Sequence, residues 1–531
     1  MAPLPIDALP GRVPVLVAGG GPVGLATAIE LGTRGVGCLV VEPRATVSTA
    51  RPRCKTVNVR TMEHLRRWGL ADRLRRRAPL PVSWSRDVVF CTSLTGRELS
   101  RFTGVLGLAP DGDRFAETGQ QVPQYVLEEV LREAVTDLDP CTLALGLRVT
   151  DLDQDADSVR VTVRDDAGRE AVVTADHVVG CDGPRSVVRE RIGAAYRGGR
   201  ALSPNFGMVF SCPELAGHVA HGPAVQYWVV NGTAPALVGP LDRTGTWWAI
   251  AFGVDRATGE ATAHDLIDAV AGRPVRAEVL STDPWTARME IVDRMRRGRV
   301  FLAGDAAHLN PPFGGHGLNT GIGDAVDLGW KLAAVARGWG GPALLDGYEA
   351  ERRPIQERVI AEATANMRVL SSDLVTADLE AGGPAGDAAR RAAGERIQRT
   401  KRAEFHALDL VLDVRVAASP VLPDGAACGT RLPHAFTGGA SLYDLLGPDL
   451  TLLVLRPGAA PETIEDAARR QGVPLATVDV TATGLAARLG ASLALVRPDQ
   501  MIAWTGDGAP ADPAALLATV TGTAPVPVSR R

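Results

Sequence analysis

Three segments of the sequence set glycines, carboxylates and apolar runs where nucleotide chemistry needs them. The first is GGGPVG, Gly19–Gly24, between the apolar run Val13–Val17 and the helical stretch Leu25–Arg34. With Gly19, Gly21 and Gly24 in GxGxxG spacing, the first glycine permits a tight turn and the second lets a pyrophosphate approach the backbone. The third lets helix and strand pack closely. Pro22 and Val23 complete this loop, and the helix behind it offers free N–H groups and a positive dipole end. A second apolar run, Cys38–Val41, ends at Glu42, placed to accept hydrogen bonds from a ribose, with Arg44 beside it. The second segment is RVFLAGD, Arg299–Asp305, a buried strand that delivers Gly304 and Asp305 and leads into PPFGGHGLNT, Pro311–Thr320. A carboxylate at a strand end can hold polyol hydroxyls, and the loop amides can face developing negative charge. The third is DHVVGCDGPRSVVR, Asp176–Arg189, where Asp182 and Gly183 follow another buried strand. Asp-Gly alone is a turn signal, and its place between the other two segments gives it meaning.

The elements around these segments read as a βαβ unit at the N-terminus, an arginine-rich amphipathic helix over Arg60–Arg77, and a hairpin of Val88–Cys91 with Glu98–Phe102. A helix follows over Val122–Val135, then strands at Leu143–Val149, Val159–Val163 and Val178–Gly180. From Arg197 to Asp283 β-branched and aromatic residues dominate, which predicts a separate sheet. Its aromatic residues include Phe206, Phe210, Tyr227, Trp228, Trp247 and Trp248, and alternation sends adjacent members to opposite faces. Residues 345–415 read as helical, Ser419–Gly429 as a linker, and the remainder as a small α/β domain. The 57 basic and 61 acidic residues nearly balance, at a net charge of −4, which argues against a nucleic-acid partner. No long uncharged apolar run predicts a membrane span. Seven scattered cysteines without a CxxC pair suggest neither zinc nor a disulfide framework, and no metal site is expected. The expected compartment is a reducing bacterial cytoplasm.

Taken together, VLVAGGGPVGLATAIELGTRG with VVEPR, VVGCDGPRSVVR, and GRVFLAGDAAHLNPPFGGHGLNTGIGDAVDLGWKLAAV resemble the single-component FAD-dependent aromatic hydroxylases of the p-hydroxybenzoate hydroxylase fold. The resemblance covers essentially the whole chain. It implies an α/β protein: a Rossmann-like FAD-binding domain with an inserted mixed β-sheet substrate domain and a C-terminal thioredoxin-like domain. The implied division is 1–195 for FAD (with the hairpin at about 83–105 inserted), 196–285 for substrate, 286–424 completing the FAD domain, and 425–531 thioredoxin-like. Residues 429–531 carry no cysteine, so thiol–disulfide chemistry is excluded there, which leaves packing or oligomer contact, and a homodimer is compatible with it.

By position, the resemblance assigns Gly19, Gly21, Gly24 and Glu42 to the ADP half of FAD, with Arg44 adjacent, and Arg53 and Gln124 to cofactor contact. Asp305 would hold the ribityl or pyrophosphate region, and Pro312, Gly317, Leu318 and Asn319 the flavin ring, the last two through backbone N–H groups. Asp182 would serve FAD and NAD(P)H together. Gly323 departs from the glutamine common in relatives. The implied reaction has NADPH or NADH reduce FAD. O2 then forms a C4a-hydroperoxide that transfers oxygen to a small phenolic or polyketide substrate. The alternatives are a Baeyer–Villiger insertion on the same fold, or a flavin-fold protein without catalysis. No nucleophile is needed beyond the flavin. His308 and His316 are the candidates for a base, against a structural role for both. Phe206, Tyr227, Trp228 and Trp247 are the candidate substrate contacts.

Overall fold

A computed structural model describes residues 4–52, 55–369, 371–416 and 418–524. The apolar runs become neighbouring parallel strands, in the order Val300–Leu302, Glu170–Gly180, Arg12–Ala18, Cys38–Glu42 and Cys141–Leu145. With both faces covered, such strands are apolar throughout and do not alternate. The helix Pro22–Gly32 packs on one face beside His316–Ala336. Three backbone bonds level the carboxyl edge of the sheet. Gly19 N donates to Val41 O at 2.8 Å, Cys181 N to Ala18 O at 2.7 Å, and Ala303 N to Gly180 O at 3.0 Å. All three motif loops therefore leave from one edge, the place where ligands bind in open parallel sheets.

A second sheet of eight strands runs His308–Leu309, Glu278–Val292, Tyr196–Ser211, Thr246–Phe252, Ala236–Pro240, Gln226–Val229, Val88–Cys91 and Glu98–Phe102. The hairpin expected as an insertion in the FAD domain closes this sheet instead, its first strand parallel to Gln226–Val229. One face is covered by the helix Arg256–Ala271. The arginine-rich stretch is two helices, Val59–Arg67 and Ala71–Arg77, parted at Gly69 (φ +73°). Several of its arginines are paired: Arg66 binds Glu117 and Asp444 at 2.7 Å, Arg67 binds the buried Glu30, and Arg75 binds Glu117 at 2.7 Å, while Arg76 and Arg77 are exposed.

The C-terminal sheet has the order Leu475–Asp479, Leu450–Val454, Leu493–Val496, Ile502–Gly506, the first pair parallel and the others antiparallel, with helices Glu462–Gln471 and Pro513–Val520. That is the thioredoxin-like arrangement. It is sealed to the rest through Trp330 and Trp339, whose stacked rings share a core with Leu450, Leu495 and Leu517. Among the described residues, no helix is long and apolar enough to cross a membrane.

Candidate active site

The first loop is shaped by what cannot fit. Gly19 sits at φ +101°, and a Cβ there would lie 2.4 Å from Cys181 O. A Cβ on Gly24 would lie 2.0 Å from Gly19 O, so strand and helix touch through bare backbone. Gly21 is different: it caps the helix with extended backbone, and a Cβ there meets nothing within 4 Å. That open space faces helix N–H groups without intrahelical partners, which fits a pyrophosphate. Pro22 occupies the first helical turn, and Val23 packs where a Cβ on Gly304 or Gly321 would collide with it. Glu42 accepts from Gly20 N at 2.7 Å and from Arg44 Nε at 2.6 Å, while Arg44 Nη2 reaches Glu128 at 2.9 Å. The acidic strand end thus stands directly over the glycine loop.

Gly304 and Asp305 form a single 3-10 turn after Val300–Leu302. It is anchored by Asp324, a fully buried carboxylate on the helix His316–Ala336. Asp324 accepts from Gly304 N at 3.1 Å, His308 Nε2 at 2.8 Å, Arg352 Nε at 2.8 Å and Gln356 Nε2 at 2.6 Å. Burial pushes this carboxyl up, but Arg352 and then His308 hold it down at about 2. His308 is thereby a buried strut between the Asp305 turn and the helix, not a base facing solvent. Neither Asp324 nor its partners Arg352 and Gln356 stood out in the sequence, because their role depends on helices that meet only in the fold.

The helix His316–Ala336 begins at Gly315, so the N–H groups through Leu318 have no intrahelical acceptor. Gly317 again carries no obstruction within 4 Å, and Pro312 is exposed at the loop tip. Asn319 fixes where this end points. Its side chain accepts from Asn58 N at 2.9 Å and donates to Thr56 O at 3.0 Å and Gly315 O at 2.6 Å. Its side chain is a strap, leaving only backbone for a ring. His316 is buried, its Nε2 has no hydrogen-bond partner, and burial pushes it down to about 4, so it is neutral near pH 7.

Asp182 receives Val188 N at 3.2 Å on one oxygen, while the other is buried with no partner, and burial raises its pKa. An unfilled acceptor at this edge fits a ligand hydroxyl or amide. Gln124 starts the helix Gln124–Thr136, with its N–H on Pro52 O at 3.0 Å. Arg53 lies outside the described residues.

The candidate substrate residues divide by face. Phe206, Tyr227 and Trp247 point into the core under Arg256–Ala271, and the Tyr227 hydroxyl accepts from Ala224 N at 3.0 Å and donates to Gly222 O at 2.5 Å. A pocket on the other face does not include them, because strand pairing fixes the parity of all three. Trp228 points the other way, with Leu237, Ile250, Trp248 and Phe252 on the same face by register. Its ring stacks on Phe90 at 5.3 Å and lies 6.1 Å from Phe313 of the glycine-proline loop, which is 6.2 Å from Phe252. Two of the chain's three lysines attend this face. Lys55 Nζ is 3.8 Å from the centre of the Trp248 ring, and the buried Lys401 Nζ is 4.3 Å from that of Trp228. Trp248 and both lysines were missed as site residues, since only pairing register and a distant helix bring them here.

A parallel sheet whose three motif loops converge at one carboxyl edge, beside a second sheet, is the arrangement of a dinucleotide-dependent enzyme. Residues 12–363 match the family model described as FAD binding domain and residues 425–524 that described as aromatic-ring hydroxylase, C-terminal, and the chain belongs to this family of FAD-dependent monooxygenases. It is 32% identical to a putative polyketide hydroxylase of Streptomyces halstedii over 93% of both chains. Among solved structures, it resembles the rebeccamycin biosynthetic enzyme RebC with reduced flavin (TM-score 0.88, 34% identity, 97% of this chain and 100% of that one). It also resembles aklavinone-11 hydroxylase in complex with FAD and aklavinone (TM-score 0.82, 28% identity, 96% and 99%).

Proposed function

We propose that the protein hydroxylates a phenol or a fused-ring polyketide held on the Trp228 face, with NADPH or NADH as reductant. The observation that carries this is the closeness of Trp228 and Phe252 to Phe313, which joins an aromatic sheet face to the loop leading into the open helix end at Gly315. Bound FAD supplies the redox chemistry, receiving a hydride and activating O2. The chain supplies the rest. Gly21 and the N–H groups behind it would hold the pyrophosphate, Glu42 the ribose, Asp305 the ribityl chain, and the Gly317–Leu318 amides the electron-rich edge of the ring. The amides there stabilise charge that develops on reduction. Trp228, Phe252 and Phe313 exclude water, which keeps activated oxygen for the substrate.

The test is a panel of phenols and aromatic polyketides, scored for NADPH or NADH use, O2 use and product mass. A gain of one oxygen atom with substrate-stimulated reductant use is expected; a protein that retains no FAD, or oxidises reductant identically with and without every substrate, would overturn the reading. Within it, Asp305→Ala is expected to lower FAD retention more than Asp409→Ala, whose carboxylate pairs with Arg114 at the surface.

A further inference from the structure

Two thiols meet at the far edge of the nucleotide sheet. Cys38 opens the strand that ends in Glu42, and Cys141 opens the neighbouring parallel strand; the two residues are in register, with their sulfurs 3.5 Å apart. In-register residues on adjacent strands stand about 4.8 Å apart, inside the range of roughly 4.4–6.8 Å between Cα atoms that a disulfide spans. Cys38 is buried and Cys141 is partly exposed, so the pair has one entrance. The hydrogen bond from Cys38 lowers the Cys141 thiol, whereas burial raises Cys91, Cys181, Cys212 and Cys428. A thiol with more thiolate and more exposure reacts first with peroxide.

We propose that Cys38 and Cys141 are a peroxide-reactive dithiol that closes to a reversible cross-strand disulfide. The oxidant is hydrogen peroxide, which reduced flavin and O2 yield whenever oxygen is not passed to a substrate. The Cys141 thiolate attacks one peroxide oxygen and the O–O bond breaks. That oxygen stays on sulfur as a sulfenic acid, and the other leaves as hydroxide and is protonated to water. The Cys38 sulfur then attacks the Cys141 sulfur, the S–O bond breaks, a second water leaves with the Cys38 proton, and the S–S bond forms. Two electrons pass from the thiols to one peroxide, and a dithiol reductant returns both sulfurs to thiols.

The experiment treats the FAD-loaded full chain with an equivalent of hydrogen peroxide, removes the excess with catalase, unfolds the protein in N-ethylmaleimide and counts labels by mass. Untreated protein should carry a label on each of its seven cysteines. Treated protein should carry two fewer, yield a linked peptide pair containing Cys38 and Cys141, migrate as a monomer, and regain full labelling after dithiothreitol. In Cys38→Ser, Cys141 should instead trap dimedone as a sulfenic acid. Unchanged labelling of treated wild-type protein, loss mapped to other cysteines, or a Cys141 sulfinic acid without the link would each overturn the proposal. Peptide mapping of the wild-type chain decides it even where the variant does not fold.

Discussion

Asp324 gathers a backbone amide, a histidine, an arginine and a glutamine onto two oxygens, and this is what holds the Asp305 turn against the helix His316–Ala336. Removing its charge leaves Arg352 buried beside a neutral group, which costs about 3–5 kcal/mol for a broken buried pair. Its carboxyl titrates lower in the folded chain (about 2) than in an unfolded one. The stability it contributes is therefore complete above the unfolded value and fades as pH falls through the folded one. Urea unfolding of wild type and Asp324→Asn should show a gap that narrows by about 2 kcal/mol between pH 5 and pH 2; a gap independent of pH would count against the assignment. The aromatic residues separate at the same scale. Trp228→Phe should raise KM severalfold and, because the ring is fully buried, also lower the melting temperature. Tyr227→Phe, which removes a hydroxyl bonded at Ala224 and Gly222, should cost about 1 kcal/mol of stability and leave KM alone.

At the scale of elements, the two outer glycines of the first loop are there for the protein and the middle one for the ligand. Gly24→Ala drives a Cβ into the Gly19 carbonyl, so the apoprotein itself should be less stable. Gly21→Ala meets no protein atom, so the melting temperature without FAD should stay within about 1 °C of wild type. The FAD dissociation constant should rise at least tenfold; equal losses in both variants would show that the loop is merely structural. This much was legible in the sequence, because a glycine between a short apolar run and a helix constrains backbone locally, and Glu42 follows at a fixed spacing. The helix break at Gly69, the hairpin's move to the second sheet and the facing of Trp228 against Trp247 were not. Each depends on a partner strand or helix far along the chain, and alternation states only that neighbours diverge, not which of them meets the core. For the same reason the sequence leaves His308 open between a base and a structural role, since its partner Asp324 comes on the following helix.

Across the whole molecule, the C-terminal domain is fastened by charge as well as by apolar packing. Arg497, fully buried, reaches Glu351 at 2.7 Å, Asp327 at 3.0 Å and its own neighbour Asp499 at 2.5 Å, and Lys331 lies 2.9 Å from Asp327 and 3.0 Å from Glu351. The three carboxylates converge as a metal site would, yet they already enclose two cations. Arg497→Met strands these acids, so about 3–5 kcal/mol should be lost. Limited proteolysis should then cut the segment Ser419–Gly429 faster than in wild type, while Arg469→Met, an exposed pair with Asp466, should change neither. The arrangement also orders events during synthesis. Asp327 and Glu351 leave the ribosome with Lys331 between them and long before the guanidinium that completes the cluster, so the C-terminal domain cannot lock onto these helices until Arg497 has been translated. A chain cut just ahead of Arg497 would therefore contain every nucleotide-binding motif and still lack the charged fastening of its last domain.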